Sequence, residues 1–455
     1  MNWQAVADIA TWFFLAYFAV LGVGSFLLHA CSLLEVPRQL EVGLPELLPR
    51  PHSGYEPPVS VIMPACHAKE KVTSTVHAVL KLDYPEFEVV VVNDGSIAGM
   101  LEALIREFSL VRFPVADRRR IDTRPVHGVY RSSRFPNLRV IDKEAHGKAD
   151  AANAGINAAR YPLVCVVDAD SILERSSLRR VVLPFLTERN TIAAGGCVRI
   201  ADGCEVRDGF LEDIGLPRRV LPMAQVVEYL RAFLFGRLGW APLNAVPVVS
   251  GTFGVFRAES VVAAGGYRQD TVGEDMELVM RLHRLNRIAG KPYRISFLLS
   301  PVAWKPAPDT AAALRDQRVR WQRGLGESLS RNRELLFHRR GGAAGWLMMP
   351  FMVTFELLGP LIELSGYLFM LIGLLCGFVS PPVFWSFLLL VVSLGVLLSI
   401  SALLLEEVSC HIYVRRGNLF ALVCMAIIEN FGYHQLVLWW RLQGIYQWVT
   451  RSVTR

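Results

Sequence analysis

Long apolar runs near both ends of the chain enclose a charged middle, and that arrangement restricts the fold more than any single motif. One run spans Ile9 to Leu33, and three more lie at roughly Trp346 to Val379, Val383 to Leu405 and Leu419 to Trp440. A helix needs about 20 apolar residues to cross the hydrocarbon of a bilayer. The first run is longer than the apolar part of a signal peptide, has no basic segment before it and lacks a small-residue cleavage site, so it is expected to persist as a transmembrane helix. No Lys or Arg precedes it, whereas Arg38 and a Lys/Arg-rich region follow. The positive-inside bias then puts the N-terminus outside and the middle of the chain in the cytoplasm. With 52% hydrophobic residues the chain is too apolar for an ordinary soluble enzyme, yet its middle is too charged to be all membrane.

The C-terminal runs are less regular. The stretch from Trp346 exceeds one span and contains Pro350, Glu356, Pro360 and Glu363, which fits an interfacial helix leading into a spanning one. Arg415 and Arg416 mark a cytoplasmic loop. The last run carries Glu429, Asn430, Gly432 and His434 and is followed by Arg441, Arg451 and Arg455. A full crossing there would carry positive charge outward; re-entry or an interfacial position is the alternative, and the number of crossings at this end stays open. The expected layout is a transmembrane helix over 1–34, a Pro-rich connector over 35–57, a cytoplasmic domain over 58–340, interfacial and transmembrane helices over 341–440 and a basic tail over 441–455.

The middle reads as α/β. Val59 to Pro64 and Glu88 to Asn93 are strand-like runs flanking an amphipathic segment from Lys69 to Leu82, the pattern of a right-handed βαβ unit. Leu138 to Ile141, a helix opening near Lys148, and Leu163 to Val167 repeat it. The Arg-rich segment from Asp117 to Arg134 lacks periodicity and reads as an exposed insertion. A helix is expected over Gln225 to Trp240, either lying against the membrane face or packed in the core. The eight cysteines form no CxxC pair, which fits a reducing compartment, with Cys165 and Cys197 as small core residues. A net charge of +7 with no aromatic-interleaved basic repeats gives no argument for nucleic acid.

Ligands of such sheets bind beyond the carboxyl ends of the strands. The five apolar residues Leu163 to Val167 end in Asp168-Ala169-Asp170, whose carboxylates share one side of an extended chain and suit Mg²⁺ or Mn²⁺ carrying a polyphosphate. A solvated acidic turn is the plain alternative. Asp94 stops the second strand, where it can accept hydrogen bonds from a ligand or close an Asx turn with Gly95. His146-Gly147-Lys148 precedes the acidic pair without a GxxxxGK pattern, so it is no P-loop. Farther on come Gly273-Glu274-Asp275 and Gln317-Arg318-Val319-Arg320-Trp321.

In order and spacing, these four clusters, with Val249-Ser250-Gly251-Thr252-Phe253-Gly254 and Gly265-Gly266-Tyr267 in support, resemble the processive family 2 glycosyltransferases of bacterial membranes, which include cellulose, hyaluronan and poly-N-acetylglucosamine synthases. The resemblance covers about Val59 to Ser330. It implies a GT-A-type α/β cytoplasmic domain flanked by transmembrane and interfacial helices in a bacterial inner membrane. Asp94, Lys148, Asp168, Gln317 and Arg320 would bind the nucleotide sugar, and Asp170 with Asp168 the metal, Mg²⁺ or Mn²⁺. Asp275, beside Glu274, would be the general base, and Trp321 with Gly251 and Thr252 would meet the acceptor. The implied reaction is inverting transfer from a nucleotide donor, a UDP-hexose or UDP-N-acetylhexosamine, to a growing polysaccharide coupled to export. Membrane lipid and an accessory export or regulatory protein are its further partners. A one-step lipid-linked sugar transferase and a degenerate receptor or scaffold are the rivals. The chain departs from the pattern at His67-Ala68-Lys69, where Asn-Glu-Glu is common, at Ala145-His146, and at Lys305-Pro306, where Thr-Glu usually follows the tryptophan. The departures leave the donor sugar undetermined.

Overall fold

The computed structural model describes residues 3–42, 55–65, 69–95, 99–114, 119–413 and 416–450. Helix α1 (Trp3–Val42) holds the first apolar run and continues beyond it through Pro37. Proline lacks an N–H and breaks the ladder, so the Pro-rich 35–57 connector is a poor place for a helix to continue. Tertiary bonds override that cost. Gln39 donates from Nε2 to the Phe297 carbonyl at 2.9 Å and accepts from the Leu299 amide at 2.7 Å, while Ser32 donates to the Leu234 carbonyl at 2.7 Å. Residues 43–54 of the connector lie outside the described residues.

The elements of the middle region follow as β1 (Val59–Ala65), α2 (Lys69–Leu80), β2 (Phe87–Asp94), α3 (Met100–Phe108), β3 (Leu110–Arg112), β4 (Val126–Ser132), β5 (Leu138–Lys143), α4 (Lys148–Ala158), β6 (Leu163–Val167) and β7 (Ile172–Leu173). Then come α5 (Ser177–Thr187), β8 (Thr191–Ile200), β9 (Glu205–Arg207), β10 (Phe210–Asp213), α6 (Val220–Leu234), β11 (Phe253–Arg257), α7 (Ala258–Ala263), α8 (Glu274–Ala289), β12 (Arg294–Lys305) and α9 (Ala311–Arg331). One ten-stranded sheet has the order β3-β4-β5-β2-β1-β6-β11-β8-β12-β7. Its centre, β5-β2-β1-β6, is parallel, and β11 runs antiparallel to β6 and β8. Every residue of β1 and β6 is buried, as continuous apolar runs covered on both faces require. Each such Val, Ile or Leu contributes about 1.5–3 kcal/mol.

The helix that follows β5 is made of small residues, Lys-Ala-Asp-Ala-Ala-Asn-Ala-Gly-Ile-Asn-Ala, because it lies directly on the sheet. A Cβ on Gly155 would fall 2.3 Å from Ile62 Cγ2 of β1. This close seat fixes the start of α4, and with it Lys148, at the carboxyl edge of the parallel strands.

The Arg-rich segment is not an insertion. From residue 126 it forms β4, which lies between the short edge strand β3 and β5 and is antiparallel to both, and the loop before it is tied to α4: Asn157 Oδ1 accepts from the Ile121 amide at 2.9 Å and Asp150 from the Arg124 amide at 3.2 Å. Its lack of apolar alternation reflects its place one strand in from the sheet edge, where every residue from Val126 to Arg131 is exposed or half-buried. Asp117 and Arg118 lie outside the described residues. The helix expected to reach Trp240 ends at Leu234, and Leu238–Trp240 is a separate 3₁₀ turn. Gly236, with no side chain to pack, lies in the break.

Beyond the domain lie α10 (Ala344–Leu357), α11 (Gly359–Leu375), α12 (Pro381–Ser409), α13 (Arg416–Ile428) and α14 (Tyr433–Thr450). Much of α10 has π-helical turns, and it meets α11 at 45°; α13 and α14 meet at 58°. Helices α1 and α12 are long and apolar enough to cross a membrane, with up to four spans if each bent pair counts as one.

Candidate active site

Five stretches meet along the carboxyl edge of β2, β1 and β6. The centre is Asp168, where β6 leaves the core. Its Oδ1 lies 2.6 Å from Lys148 Nζ at the start of α4, and its Oδ2 lies 2.7 Å from Lys305 Nζ at the end of β12. Burial alone would raise its pKa, but the two ammonium groups outweigh burial and hold it at about 2. Burial likewise works against the charge on Lys148, and Asp168 and Glu274 reverse it, keeping that amine above the usual lysine range. Lys148 also donates to the Gly251 carbonyl at 3.0 Å, and the Asp168 amide donates to the Thr252 carbonyl at 3.2 Å. Gly251 and Thr252 therefore meet the other site residues, with Thr252 itself buried.

Glu274 and Asp275 open α8. Glu274 lies 3.9 Å from Lys148, and burial, reinforced by Asp275, raises its pKa despite that lysine. Asp275 Oδ1 accepts from the Met276 amide at 2.8 Å, and a Cβ on Gly251 would sit 2.8 Å from Asp275 Oδ2. One small pocket is thus lined by Lys148, Gly251, Tyr267, Glu274 and Asp275, joining the lysine that serves Asp168 to the expected base. Asn153 of α4 clamps Tyr267, accepting from its amide at 2.7 Å and donating to its carbonyl at 2.8 Å.

What holds α8 in place is α9. Gly273 and Gly324 are back to back, so that a Cβ on either would lie 2.9 Å from the other's Cα. Glu327 accepts from Thr271 Oγ1 at 2.7 Å and from the Val272 amide at 3.0 Å. Gln317, Trp321 and Gly324 recur at helical spacing, so the stripe bearing the first two is the one that meets the Gly273 loop. Gln317 accepts from Arg318 at 2.8 Å. Arg320 is exposed and pairs with none of the described carboxylates, and Trp321 is 46% exposed, its ring covered on one side by Arg318 at 4.4 Å. Arg318 itself is buried and bound to Glu228 at 2.7 Å. The spacing of Gln-x-x-Arg-Trp drew attention to Arg320, whereas the partner that anchors the helix is its neighbour two residues earlier.

Asp94 lies inside the edge rather than on it. Its Oδ1 accepts from Lys143 Nζ at 2.6 Å and from the His146 amide at 3.0 Å, and its Oδ2 from the Gly147 amide at 2.6 Å. Lys143 is fully buried and also meets Asp150 at 2.6 Å. The carboxylate shapes the loop that presents Lys148. Nothing in the spacing marked Lys143, Lys305, Gly324 or Glu327; only Lys305 left a trace, as a departure from the family pattern.

A divalent ion is compatible with the donors present. Among the described residues no group of three or more His, Cys, Asp or Glu could hold a metal, so at this edge the candidate donors are the pair Asp168 and the 39%-exposed Asp170. Mg²⁺ and Mn²⁺ suit such a pair, because they are commonly held by one or two carboxylates with phosphate and water supplying the rest.

A mixed sheet with parallel centre, an Asp-x-Asp loop at its carboxyl edge and membrane-length helices on both sides define a GT-A-type glycosyltransferase associated with a membrane. The chain belongs to Glycosyl transferase family group 2, which matches residues 163–428, and Glycosyl transferase family 2 matches residues 60–259. It is 24% identical over 275 residues to the poly-beta-1,6-N-acetyl-D-glucosamine synthase of Staphylococcus epidermidis, a match covering 60% of this chain and 56% of the relative. The Staphylococcus aureus (strain COL) enzyme of that name is 25% identical over the same shares. The chain thus spans little more than half the length of these relatives. Its fold is similar to that of the mannosyltransferase PcManGT from Pyrobaculum calidifontis in complex with GDP-Man and Mn²⁺, with a TM-score of 0.52, 16% identity, and 96% of this chain and 100% of that chain covered.

Proposed function

We propose that the chain is a polysaccharide synthase of the inner membrane that transfers a hexose or N-acetylhexosamine, with inversion, from a UDP-linked donor to a growing glycan. The observation that carries the reading is the shared pocket: Lys148, bound to Asp168, and the carboxylate of Asp275 lie on either side of Gly251. The acceptor hydroxyl attacks the anomeric carbon, its proton passes to Asp275, and the bond to the diphosphate breaks. Lys148 and Arg320 take up charge on the departing diphosphate. Asp170 and Asp168 would hold Mg²⁺ or Mn²⁺, which when bound neutralises charge on the diphosphate. Trp321 offers its open face to the acceptor sugar. Direct displacement needs no enzyme nucleophile, and Cys165 and Cys197 are core residues with thiols pushed up by burial.

The helices support export past the same site. The ends of α1 and α12 both grip the catalytic domain, α1 through Gln39 and α12 through Glu406, which is ion-paired with Arg199 of β8. Both ends therefore face the cytoplasm, and α10–α11 supplies the outward crossing between them. Helix α13, at 13 residues, reaches about 20 Å against a hydrocarbon core of about 30 Å. Helix α14 lies along α9, with Gly326 under Trp448 and Arg441 donating to Gln322 at 2.8 Å. We read the last pair as a re-entrant hairpin that returns the basic tail to the cytoplasm, with three crossings before it.

Purified chain in detergent, supplied with Mg²⁺ or Mn²⁺ and a panel of UDP- and GDP-sugars, tests the reading. The expected result is nucleotide release with one UDP-sugar and a product of many sugars. A single-sugar lipid product would favour the one-step rival, and binding without release would favour the receptor.

A further inference from the structure

The departure at Lys305 places a second fixed cation in the acidic site. Its ammonium lies 2.7 Å from Asp168 Oδ2 and 3.6 Å from Asp170 Oδ1, and so touches both carboxylates, whereas Lys148 takes only the other oxygen of Asp168. The strand pairing brings the two segments side by side. β7 starts two residues after Asp170 and pairs with the end of β12, Ile172 opposite Trp304 and Leu173 opposite Ala303. Lys305 follows the fully buried Trp304, lies in register with Ile200 of β8, and accepts from the Ala201 amide at 2.9 Å. The Ala307 amide, donating to Asp202 at 2.6 Å, anchors the chain beyond. The acidic loop and the lysine are thus carried by neighbouring strands, and Lys305 is the ammonium that faces both Asp168 and Asp170, whereas Lys148 is shared between Asp168 and Glu274.

We propose that Lys305 is a resident counter-cation of the Asp168–Asp170 pair. It weakens capture of a divalent ion by the ligand-free site, and it lets the chain hold a nucleoside diphosphate when no divalent ion is present. The second half rests on the glycosyltransferase reading above; the first stands on the site alone. A divalent ion approaching Asp170 meets a positive charge already at that carboxylate, a repulsion that costs about tenfold or more in affinity at a partly exposed site. When a diphosphate arrives, the same ammonium can turn to its oxygens as a point charge on a flexible stem.

The test uses the full chain in detergent and two probes. Mn²⁺ alone is titrated and its free concentration read by electron paramagnetic resonance, for wild type, Lys305→Thr, Lys305→Gln and Lys305→Arg. The neutral variants are expected to bind Mn²⁺ about tenfold more tightly, with Lys305→Arg within about threefold of wild type. UDP is then titrated calorimetrically in EDTA and in saturating Mn²⁺. Wild type and Lys305→Arg keep metal-free binding, the neutral variants lose about tenfold of it, and saturating Mn²⁺ narrows the gap. Matching thermal midpoints and the arginine rescue separate charge from misfolding. Equal Mn²⁺ affinity in wild type and neutral variants, or metal-free UDP binding indifferent to the lysine, would overturn the proposal. A wild-type chain that binds no UDP even with Mn²⁺ would instead sink the donor assignment, while the Mn²⁺ titration still decides the role of Lys305.

Discussion

Gly324→Ala should damage catalysis far more than stability. The added methyl would lie 2.9 Å from Gly273 Cα and 3.0 Å from Gly273 N, against an ordinary contact of 3.4 Å or more, so the two backbones must part by at least 0.5 Å. Neither contact is a side-chain end that can rotate away. Helix α9 is pinned by Arg318 to Glu228 and by Gln322 to the Glu356 carbonyl, so the strain falls on the loop that carries Glu274 and Asp275. Overpacking of this kind costs about 1–3 kcal/mol, and replacing a helical glycine by alanine returns about 1 kcal/mol, leaving a net loss of about 0–2 kcal/mol. A base displaced by roughly half an ångström to an ångström costs about 10- to 100-fold in rate. Lys148 and Asp168 lie on neither helix, and Arg320 lies on α9, which its anchors hold in place, so donor affinity should stay within about threefold. Turnover from nucleotide release, paired with calorimetric UDP binding, separates the two effects. Turnover within twofold of wild type, or donor affinity falling in step with turnover, would refute the coupling of α9 to the base.

Asp168 has a folded-state pKa of about 2, below its value in an unfolded chain, so its stabilising contribution is complete above about pH 4 and is lost as pH falls toward 2. Thermal midpoints of wild type and Asp168→Asn should therefore differ at pH 6 and converge through that window; a constant gap would contradict the assignment. Arg318→Met should cost about 1–3 kcal/mol by leaving the half-buried Glu228 with the Tyr433 hydroxyl but without its cation, whereas Arg318→Met combined with Glu228→Leu should regain most of the loss, read as recovery of the thermal midpoint. A fluorescent-protein fusion after Arg455 should fluoresce and a phosphatase fusion there should be inactive, with the opposite pattern in the turn between α11 and α12. Matching reporters at both places would exclude the re-entrant hairpin.

The sheet centre was legible because β1, β2, β5 and β6 are continuous apolar runs ending in polar residues, a signal that needs no knowledge of neighbours. Strand β4 was not, since Val126 to Ser132 mixes apolar with polar and charged residues and only Ser132 is fully buried, even though it forms a local hairpin with β5. The candidate-site clusters could be located by their spacing, and Asp168, Lys148, Glu274, Asp275, Gly251 and Thr252 do come together. Burial could not be read the same way. Asp94 stands at a strand end like Asp168, yet its oxygens serve Lys143 and the His146-Gly147 amides, which only the packing of α4 on the sheet reveals. Lys305 was visible as an oddity, and its meaning depended on the β7–β12 pairing. Pro37 inside α1 shows the same limit, because the bonds of Gln39 to β12 cannot be inferred from local propensity.

The central claim is that Asp275 removes the acceptor proton while Lys148 and Asp168 hold the donor side. Asp275→Asn keeps the size and the contact to the Met276 amide but cannot take a proton. Measured on one preparation with Mn²⁺ present, the variant should bind UDP within about threefold of wild type and release nucleotide from the preferred donor about 10²- to 10⁴-fold more slowly. Release within a few-fold of wild type, with binding intact, would contradict the account.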